Sequence, residues 1–320
     1  ISGSLTQETD MRYALHAEAS PDASSTRMAK DPPGGGAGRY RADHYDVIGN
    51  VRNLPIRIFT LGQFSIFRNA VAITSKGKAQ HRPLGLLQAL IALGGKDVAG
   101  SRLCECLWPD SDGDLAGRNL NITVHRLRQI LQAPGVVVQR DGKLTLSSEH
   151  CTVDALHFER LVSNSIEGLG NAAMAEDAES NLHAAMGLYC GHFLALESEE
   201  PWMLAPRLRM KSKFERLVLA LSRHHEQQMR FEQAVDICRR ALELDPLNEL
   251  LYRCLMGCYL KQGEIARALD TYVRCREALA KGLSAAVSCE TARLYVQVLR
   301  EAQNGNHHSY NLAAKYRPHV

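Results

Sequence analysis

The sequence has no apolar run of the roughly 20 residues that a membrane-spanning helix needs, and its beginning lacks the basic-then-apolar pattern of a secretory signal. It also lacks a Walker-type phosphate loop, a G-x-S-x-G nucleophile elbow and an H-E-x-x-H zinc helix. We therefore expect a cytoplasmic protein without membrane contact, and the sequence gives no support to an enzyme or to a bound cofactor.

Cysteine spacing gives little sign of a metal site. The nine cysteines stand mostly alone in apolar helical segments, which favours reduced, buried thiols over a disulfide framework. The closest groups are Cys104-x-Cys106 and Cys254-x3-Cys258, and neither is accompanied by a second Cys or His pair at zinc-site spacing. The pairs His224-His225 and His307-His308 point to different sides of a helix, so we interpret them as surface residues. No metal is expected.

Length and composition predict two domains. With 320 residues, 45% hydrophobic, the chain can bury two cores. We expect a linker or frayed segment over 1–54, a first domain over 55–150, an all-helical domain over 151–302 and a disordered tail over 303–320. Because the chain begins at Ile1 rather than Met, we expect either a fragment of a longer protein or a start at Met11.

The order of elements between residues 55 and 150 is that of a winged helix. Alternation from Ile56 to Ile73 predicts a small N-terminal β-sheet. Three helices follow, the second capped by Ser101, and the third running from about Leu115 to Leu131 with Asp114 as its cap. Asp141-Gly142 between two β-rich runs predicts a C-terminal hairpin wing. The fold class is thus mainly α, a winged helix followed by a helical-repeat domain.

The third helix carries the strongest functional signal. Its narrow apolar stripe, Leu120, Val124, Leu127 and Leu131, faces away from a polar side, and no carboxylate lies between positions 115 and 131. Arg, Asn, Gln and His side chains form paired hydrogen bonds to base edges in the major groove. The alternative is an exposed polar helix that happens to lack acidic residues. The base-reading candidates are Arg118, Asn121, His125, Arg126 and Gln129.

Basic residues around this helix suggest contacts to phosphate. Between residues 55 and 150, twelve Lys or Arg stand against seven Asp or Glu, an excess larger than the +3 of the whole chain. Those at the hairpin tip and around the first helix are placed to meet a DNA backbone, although a solvated basic turn explains any one of them as well. The phosphate-binding candidates are Lys76, Lys78, Arg82, Arg128, Arg140 and Lys143.

The helical part contains an internal repeat. The segments beginning at Phe231 and Ile265 align at a separation of 34 residues, which is the tetratricopeptide period. Ala234 and Ala268 fall on the small-residue position of that motif. The match has departures, since Met256 and Ala280 replace a usual glycine and a usual proline.

Several separated motifs resemble one family. In order, these are Leu61-Gly62-x-Phe64, Leu107-Trp108-Pro109-Asp110, Asn119-Leu120-x4-His125-Arg126-Leu127-Arg128 and Leu188-Tyr189-x-Gly191-x-Phe193-Leu194. Over about residues 55–302 the chain resembles the bacterial antibiotic-regulatory-protein (SARP) type of transcriptional activator. Its first part is similar to the output domain of response regulators, and the remainder is similar to the bacterial transcriptional activator domain.

This resemblance implies activation of transcription by a protein that binds double-stranded DNA at repeated sites as a homodimer and contacts RNA polymerase. It also implies that the third helix enters the major groove. Ile122 and His125 depart from the more basic or polar residues common there, so the base preference does not transfer. The alternative function is a helical-repeat scaffold that binds proteins without specific DNA binding.

Overall fold

The computed structural model describes residues 54–73, 80–171 and 173–304. The described chain is mainly helical, and its buried residues form one continuous hydrophobic core. The strands are β1 (Ile56–Phe59), β2 (Ser65–Arg68), β3 (Val71–Ala72), β4 (Val98–Ala99), β5 (Val137–Arg140), β6 (Lys143–Leu146) and β7 (Cys151–Val153). The helices are α1 (His81–Ala92), α2 (Gly100–Leu107), α3 (Gly113–Leu131), α4 (Asp154–Ser165), α5 (Ala175–Leu188), α6 (Leu204–Gln227), α7 (Phe231–Leu244), α8 (Glu249–Lys261), α9 (Ile265–Leu283) and α10 (Cys289–Asn304).

A four-stranded sheet in the order β3-β2-β1-β7 opens the described chain. Ile56 and Ile58 of β1 are fully buried, because alternate residues of a strand face the same side. β1 pairs antiparallel with β2, and parallel with β7, where Ile56 lies opposite Cys151. The sequence pattern predicts the first strands of this sheet. It does not predict β7, which lies beyond the predicted domain boundary at residue 150 and yet pairs with β1.

A second sheet, in the order β4-β6-β5, packs with helices α1 to α3. β5 and β6 form an antiparallel hairpin in which Arg140 lies opposite Lys143. Asp141 and Gly142 connect the two strands and have φ values of 48° and 71°. A two-residue hairpin turn needs positive φ at both positions, because only then does the turn match the twist of the strands. β4 is only two residues long and has no signal in the sequence.

Two predicted helix caps are wrong. The side chain of Asp112, not Asp114, accepts a hydrogen bond at the start of α3 from the Gly113 N–H, at 2.9 Å. Asp114 instead lies within the first helical turn, where a negative charge favours the helix dipole. The N-cap of α2 is Ala99 rather than Ser101, because the chain enters this helix directly from strand β4.

Helices α4 to α10 make up the second half of the described chain. Successive helices from α6 to α10 pack against one another, as in a helical repeat. Ala234 of α7 and Ala268 of α9 are fully buried, which agrees with their predicted small-residue positions at close helix contacts. Among the described residues, no helix combines the length and apolar character needed to cross a membrane. The last helix ends at Asn304, two residues into the predicted tail.

The carboxylate of Asp154 joins the two halves. It is fully buried at the start of α4 and accepts hydrogen bonds from the backbone N–H groups of Thr60, Leu61 and Ala155 at 2.7–2.9 Å and from the Thr60 hydroxyl at 2.7 Å. Burial raises the pKa of this carboxyl group, while the hydrogen bonds oppose the rise. Its partners Thr60 and Leu61 lie more than 90 residues away along the chain, so no local pattern in the sequence indicates them.

Two glycines pass close to each other beside this joint. The Gly62 N–H donates to the carbonyl of His192 at 3.0 Å, and Leu61 forms an isolated β-bridge with Phe193. Gly62 has a φ of 100°, and a Cβ atom on Gly191 would lie 3.1 Å from the Gly62 Cα. The glycines in two of the quoted motifs therefore allow the backbones of the two halves to meet.

Candidate nucleic-acid interface

Helix α3 places the predicted base-reading side chains on one exposed surface. Arg118, Asn121, His125, Arg126 and Gln129 are all exposed, as is Ile122. Their spacing of three and four residues keeps most of them on one side of the helix. We call this surface the polar face of α3. It contains hydrogen-bond donors of both charged and neutral type and one apolar side chain.

The opposite side of α3 is held by the core. Leu120, Val124, Leu127 and Leu131 are buried, as the sequence pattern predicts. Thr123 is buried as well, and its hydroxyl donates to the carbonyl of Asn119 at 2.7 Å, which satisfies the polar group within the helix. α3 packs mainly against α1 and α2, so the polar face stands on a rigid support.

The β5–β6 hairpin lies beside the polar face. Gln139 of β5 donates from Nε2 to Oδ1 of Asn121 at 3.0 Å. The hairpin tip is also fixed to α2, because the Gly100 N–H donates to the Gly142 carbonyl at 2.8 Å. A Cβ atom on Gly100 would lie 3.0 Å from that oxygen, so this approach needs glycine. The exposed side chains of Arg140 and Lys143 thus stand at a fixed tip.

Two of the predicted phosphate-binding arginines make contacts within the protein. Arg128 donates from Nε and Nη2 to the Val137 carbonyl, at 3.0 and 2.8 Å, and so ties α3 to the start of the hairpin. Arg82 donates from Nη1 to the Leu107 carbonyl at the end of α2, at 2.8 Å. The two guanidinium groups therefore fix α1 to α2 and α3 to the hairpin. Lys76 and Lys78 lie outside the described residues.

Gln139 is an interface candidate that the sequence analysis missed. It is exposed and bonded to Asn121, so it extends the polar face onto the hairpin. Its position two residues before the Asp-Gly turn was a usable signal, because side chains near a hairpin tip lie close to whatever the tip contacts. Asn121 and Gln139 orient each other's amide groups, and the amide nitrogen of Gln129 lies 3.1 Å from Nε2 of the His125 ring.

Away from this interface, the prediction that His224 and His225 are surface residues is wrong. Both are buried, because α6 packs against α5. Glu179 of α5 accepts from Arg230 at 2.8 Å and lies 3.0 Å from Nε2 of His224. His225 lies 3.3 Å from the ring nitrogen of His183. His307 and His308 lie outside the described residues.

The buried group formed by Glu179, His183, His225 and Arg230 should make the stability of the fold sensitive to acid. The hydrogen bond from Arg230 lowers the pKa of Glu179 to about 2, and burial lowers the pKa of His225 to about 4. On acidification the unfolded chain therefore takes up protons first, at His225 below about pH 6.5 and at Glu179 below about pH 4.3. We expect the free energy of unfolding in urea to fall as the pH drops through these ranges.

The matched variants for this acid test are His225→Gln and His125→Gln. His225→Gln should flatten the decline between about pH 6.5 and pH 4, leaving a smaller slope from His183, whose pKa burial also lowers. His125→Gln changes an exposed histidine of α3 and should leave the wild-type slope. Equal slopes for all three proteins would contradict the assignment.

Comparison with known proteins gives a match to one domain family and a likeness to one fold. Residues 153–299, just under half of the chain, match the model of the bacterial transcriptional activator domain. EmbR of Mycobacterium tuberculosis, solved in complex with a low-affinity phosphopeptide, aligns with a TM-score of 0.55 and 18% identity over 82% of this chain and 69% of its own. No curated protein sequence matches the chain.

A further solved structure is the C-terminal TPR-containing domain of an FK506-binding protein from Plasmodium falciparum. It aligns with a TM-score of 0.32 and 11% identity over 48% of this chain and 92% of its own, which is too low to indicate a shared fold. The family match supports a transcriptional activator and is not to an enzyme. The alignment with EmbR covers 82% of this chain, so the shared fold extends beyond residues 153–299.

Proposed function

We propose that this protein is a sequence-specific DNA-binding transcriptional activator that reads the major groove with α3. The observation that carries the proposal is the polar face of α3, which is exposed, free of carboxylates and flanked by a hairpin with a cationic tip. In this proposal residues 55–150 are a winged-helix domain, and the β5–β6 hairpin is its wing.

The side chains of the polar face suit base edges. The major groove is about 12 Å wide and admits one α-helix. Arg118 and Arg126 can each donate two hydrogen bonds to O6 and N7 of a guanine. Asn121 or Gln129 can form a pair of hydrogen bonds with an adenine. Ile122 can contact a thymine methyl group. A helix that served only for solubility would gain nothing from excluding acidic residues along 17 positions.

The hairpin is suited to position the protein on the duplex. Arg140 and Lys143 face each other across the turn, and backbone bonds to α2 and β4 fix the tip relative to α3. Contacts from such a tip to phosphate set register and orientation without carrying sequence information. Because the tip is preorganised, little conformational entropy is lost when it binds.

The helical half supplies the second part of the proposed function. Residues 153–299 match an activator domain, so we assign to α4 through α10 the contacts to RNA polymerase, the signal input or the formation of a homodimer on repeated sites. The buried joint at Asp154 makes α4 continuous with the sheet of the first half. A change in the helical half therefore has a direct route to the DNA-binding segment.

The test is binding of the full chain to genomic DNA fragments in a gel-shift assay across a salt series. We expect retarded fragments, a preferred site, and an affinity that falls with salt by about 0.9 log units per log unit of salt for each neutralised phosphate. Absent binding, or binding that salt does not weaken, would overturn the proposal. A protein that binds no DNA but captures a peptide through its helical half would be the scaffold instead.

A further inference from the structure

Three cysteine side chains converge in the helical half. Cys238 comes from α7, and Cys254 and Cys258 lie one turn apart on the same side of α8. Their three Sγ atoms lie within 4.8 Å of one another, and those of Cys238 and Cys254 are 3.0 Å apart. Cys238 and Cys258 are fully buried, while Cys254 is partly exposed. We call these three residues the thiol cluster.

A carboxylate from a third helix lies beside Cys258. Oε1 of Glu226, near the end of α6, lies 3.2 Å from Sγ of Cys258, and its side chain is only 11% exposed. The ammonium group of Lys261 donates to the other carboxylate oxygen. One oxygen of Glu226 thus faces the thiol cluster, and the other is held in place from outside.

We propose that Cys238, Cys254 and Cys258 bind a zinc ion, with Glu226 as the fourth ligand. Three thiolates and one carboxylate are ligand types that zinc accepts in a tetrahedral site. The Lys261 ammonium group takes the role of an outer partner that orients the carboxylate. Ligands from α6, α7 and α8 would then be crosslinked at one point in the core.

The distances fit after small side-chain rotations. Zn–S bonds are about 2.3 Å long, so two sulfurs on one tetrahedral zinc ion lie about 3.8 Å apart. The Sγ atoms of Cys238 and Cys254, 3.0 Å apart, are closer than that, and no two sulfurs of the thiol cluster are more than 4.8 Å apart. Widening the shortest separation by about 1 Å is within the reach of χ1 rotation.

Zinc binding to the thiol cluster requires loss of the thiol protons. The positive charge of the ion offsets the repulsion between neighbouring thiolates, and the protons are released to water.

A cavity adjoins the proposed site at Glu226. A cavity of about 550 Å³ is lined by Arg223, Glu226, Gln227, Phe231 and Lys261. Glu226 is common to this cavity and to the thiol cluster, so an ion that enters the cavity meets its first ligand there. A disulfide between Cys238 and Cys254 is the competing chemistry, but it would leave Cys258 and the contact to Glu226 without a role.

The experiment is cobalt and zinc binding to the full chain, purified under reducing conditions and stripped with a chelator. We expect one metal ion per chain, a thiolate-to-cobalt charge-transfer band with the visible bands of tetrahedral cobalt, and a higher melting temperature with zinc. Cys254→Ser should either lose cobalt binding or, where cobalt is bound, lose about a third of the charge-transfer intensity, because one of three thiolates is gone. Glu226→Gln should keep that intensity but shift the visible bands, because only an oxygen ligand changes.

The matched control is Cys289→Ser, which removes an exposed cysteine of α10 and should bind cobalt like the wild type. The proposal is overturned if the folded wild type binds well under one equivalent of either metal, or if Cys254→Ser gives the wild-type cobalt spectrum. It is also overturned if mass spectrometry of the protein prepared without reductant finds a Cys238–Cys254 disulfide while the reduced protein binds no metal.

Discussion

Replacing Asp154 with alanine should destabilise the folded protein by about 3–5 kcal/mol, because buried N–H and O–H donors lose their acceptor at once. The backbone N–H groups of Thr60 and Leu61 and the Thr60 hydroxyl all donate to this carboxylate, and Thr60 is itself fully buried. Water cannot replace the lost acceptor without opening the joint between β1 and α4. Urea unfolding followed by circular dichroism measures the loss.

Asp177→Ala is the matched control for this prediction. Asp177 also lies in the first turn of a helix, α5, but it is exposed, so its loss should change the free energy of unfolding by less than about 1 kcal/mol. Asp154→Asn keeps one acceptor oxygen and should fall between the two. If Asp154→Ala is as stable as Asp177→Ala, the carboxylate does not hold the two halves together.

Replacing Arg118 or Arg126 with alanine should weaken binding to the preferred DNA site by about 1–3 kcal/mol and relax the sequence preference. Both side chains project from the exposed polar face of α3, where an arginine can form two hydrogen bonds to guanine. Because nonspecific DNA offers phosphate but not the matched guanine, binding to scrambled duplex should change much less. Fluorescence anisotropy on both duplexes gives the ratio of the two affinities.

Lys143→Ala supplies the contrast, since Lys143 lies at the hairpin tip rather than on α3. Its loss should weaken binding to all sequences about equally and make the salt dependence shallower by about one unit. Should Arg118→Ala and Arg126→Ala both preserve the ratio of specific to nonspecific affinity, α3 does not read the DNA. That outcome would refute the mechanism even for a protein that binds DNA.

Local signals in the sequence predict much of the candidate site. The apolar stripe of α3 and its acid-free opposite side can be read from a 3.6-residue period, and Asp141-Gly142 gives the turn of the hairpin. These features depend on residues that are neighbours along the chain. The exposed positions of Arg118 and Arg126 follow directly from them.

Contacts between distant residues are what the sequence does not reveal. Cys254 and Cys258 are visible as an i, i+4 pair, but nothing local indicates that Cys238 joins them from α7. The burial of His225 depends on α5 packing against α6, and the second role of Arg128 depends on the hairpin folding back to it. In each case the determining partner belongs to another element.

The parallel pairing of β1 with β7 has a consequence for synthesis of the chain. Cys151 of β7 follows its partner Ile56 by roughly 95 positions. A ribosome adds about 5–20 residues per second, so β7 is synthesised on the order of 5–20 s after β1. Before β7 is synthesised, the backbone N–H and C=O groups on that side of β1, its open edge, have no partner strand and can pair with another nascent chain. A protein shortened to end at residue 150 would keep that edge permanently, and we expect it to aggregate.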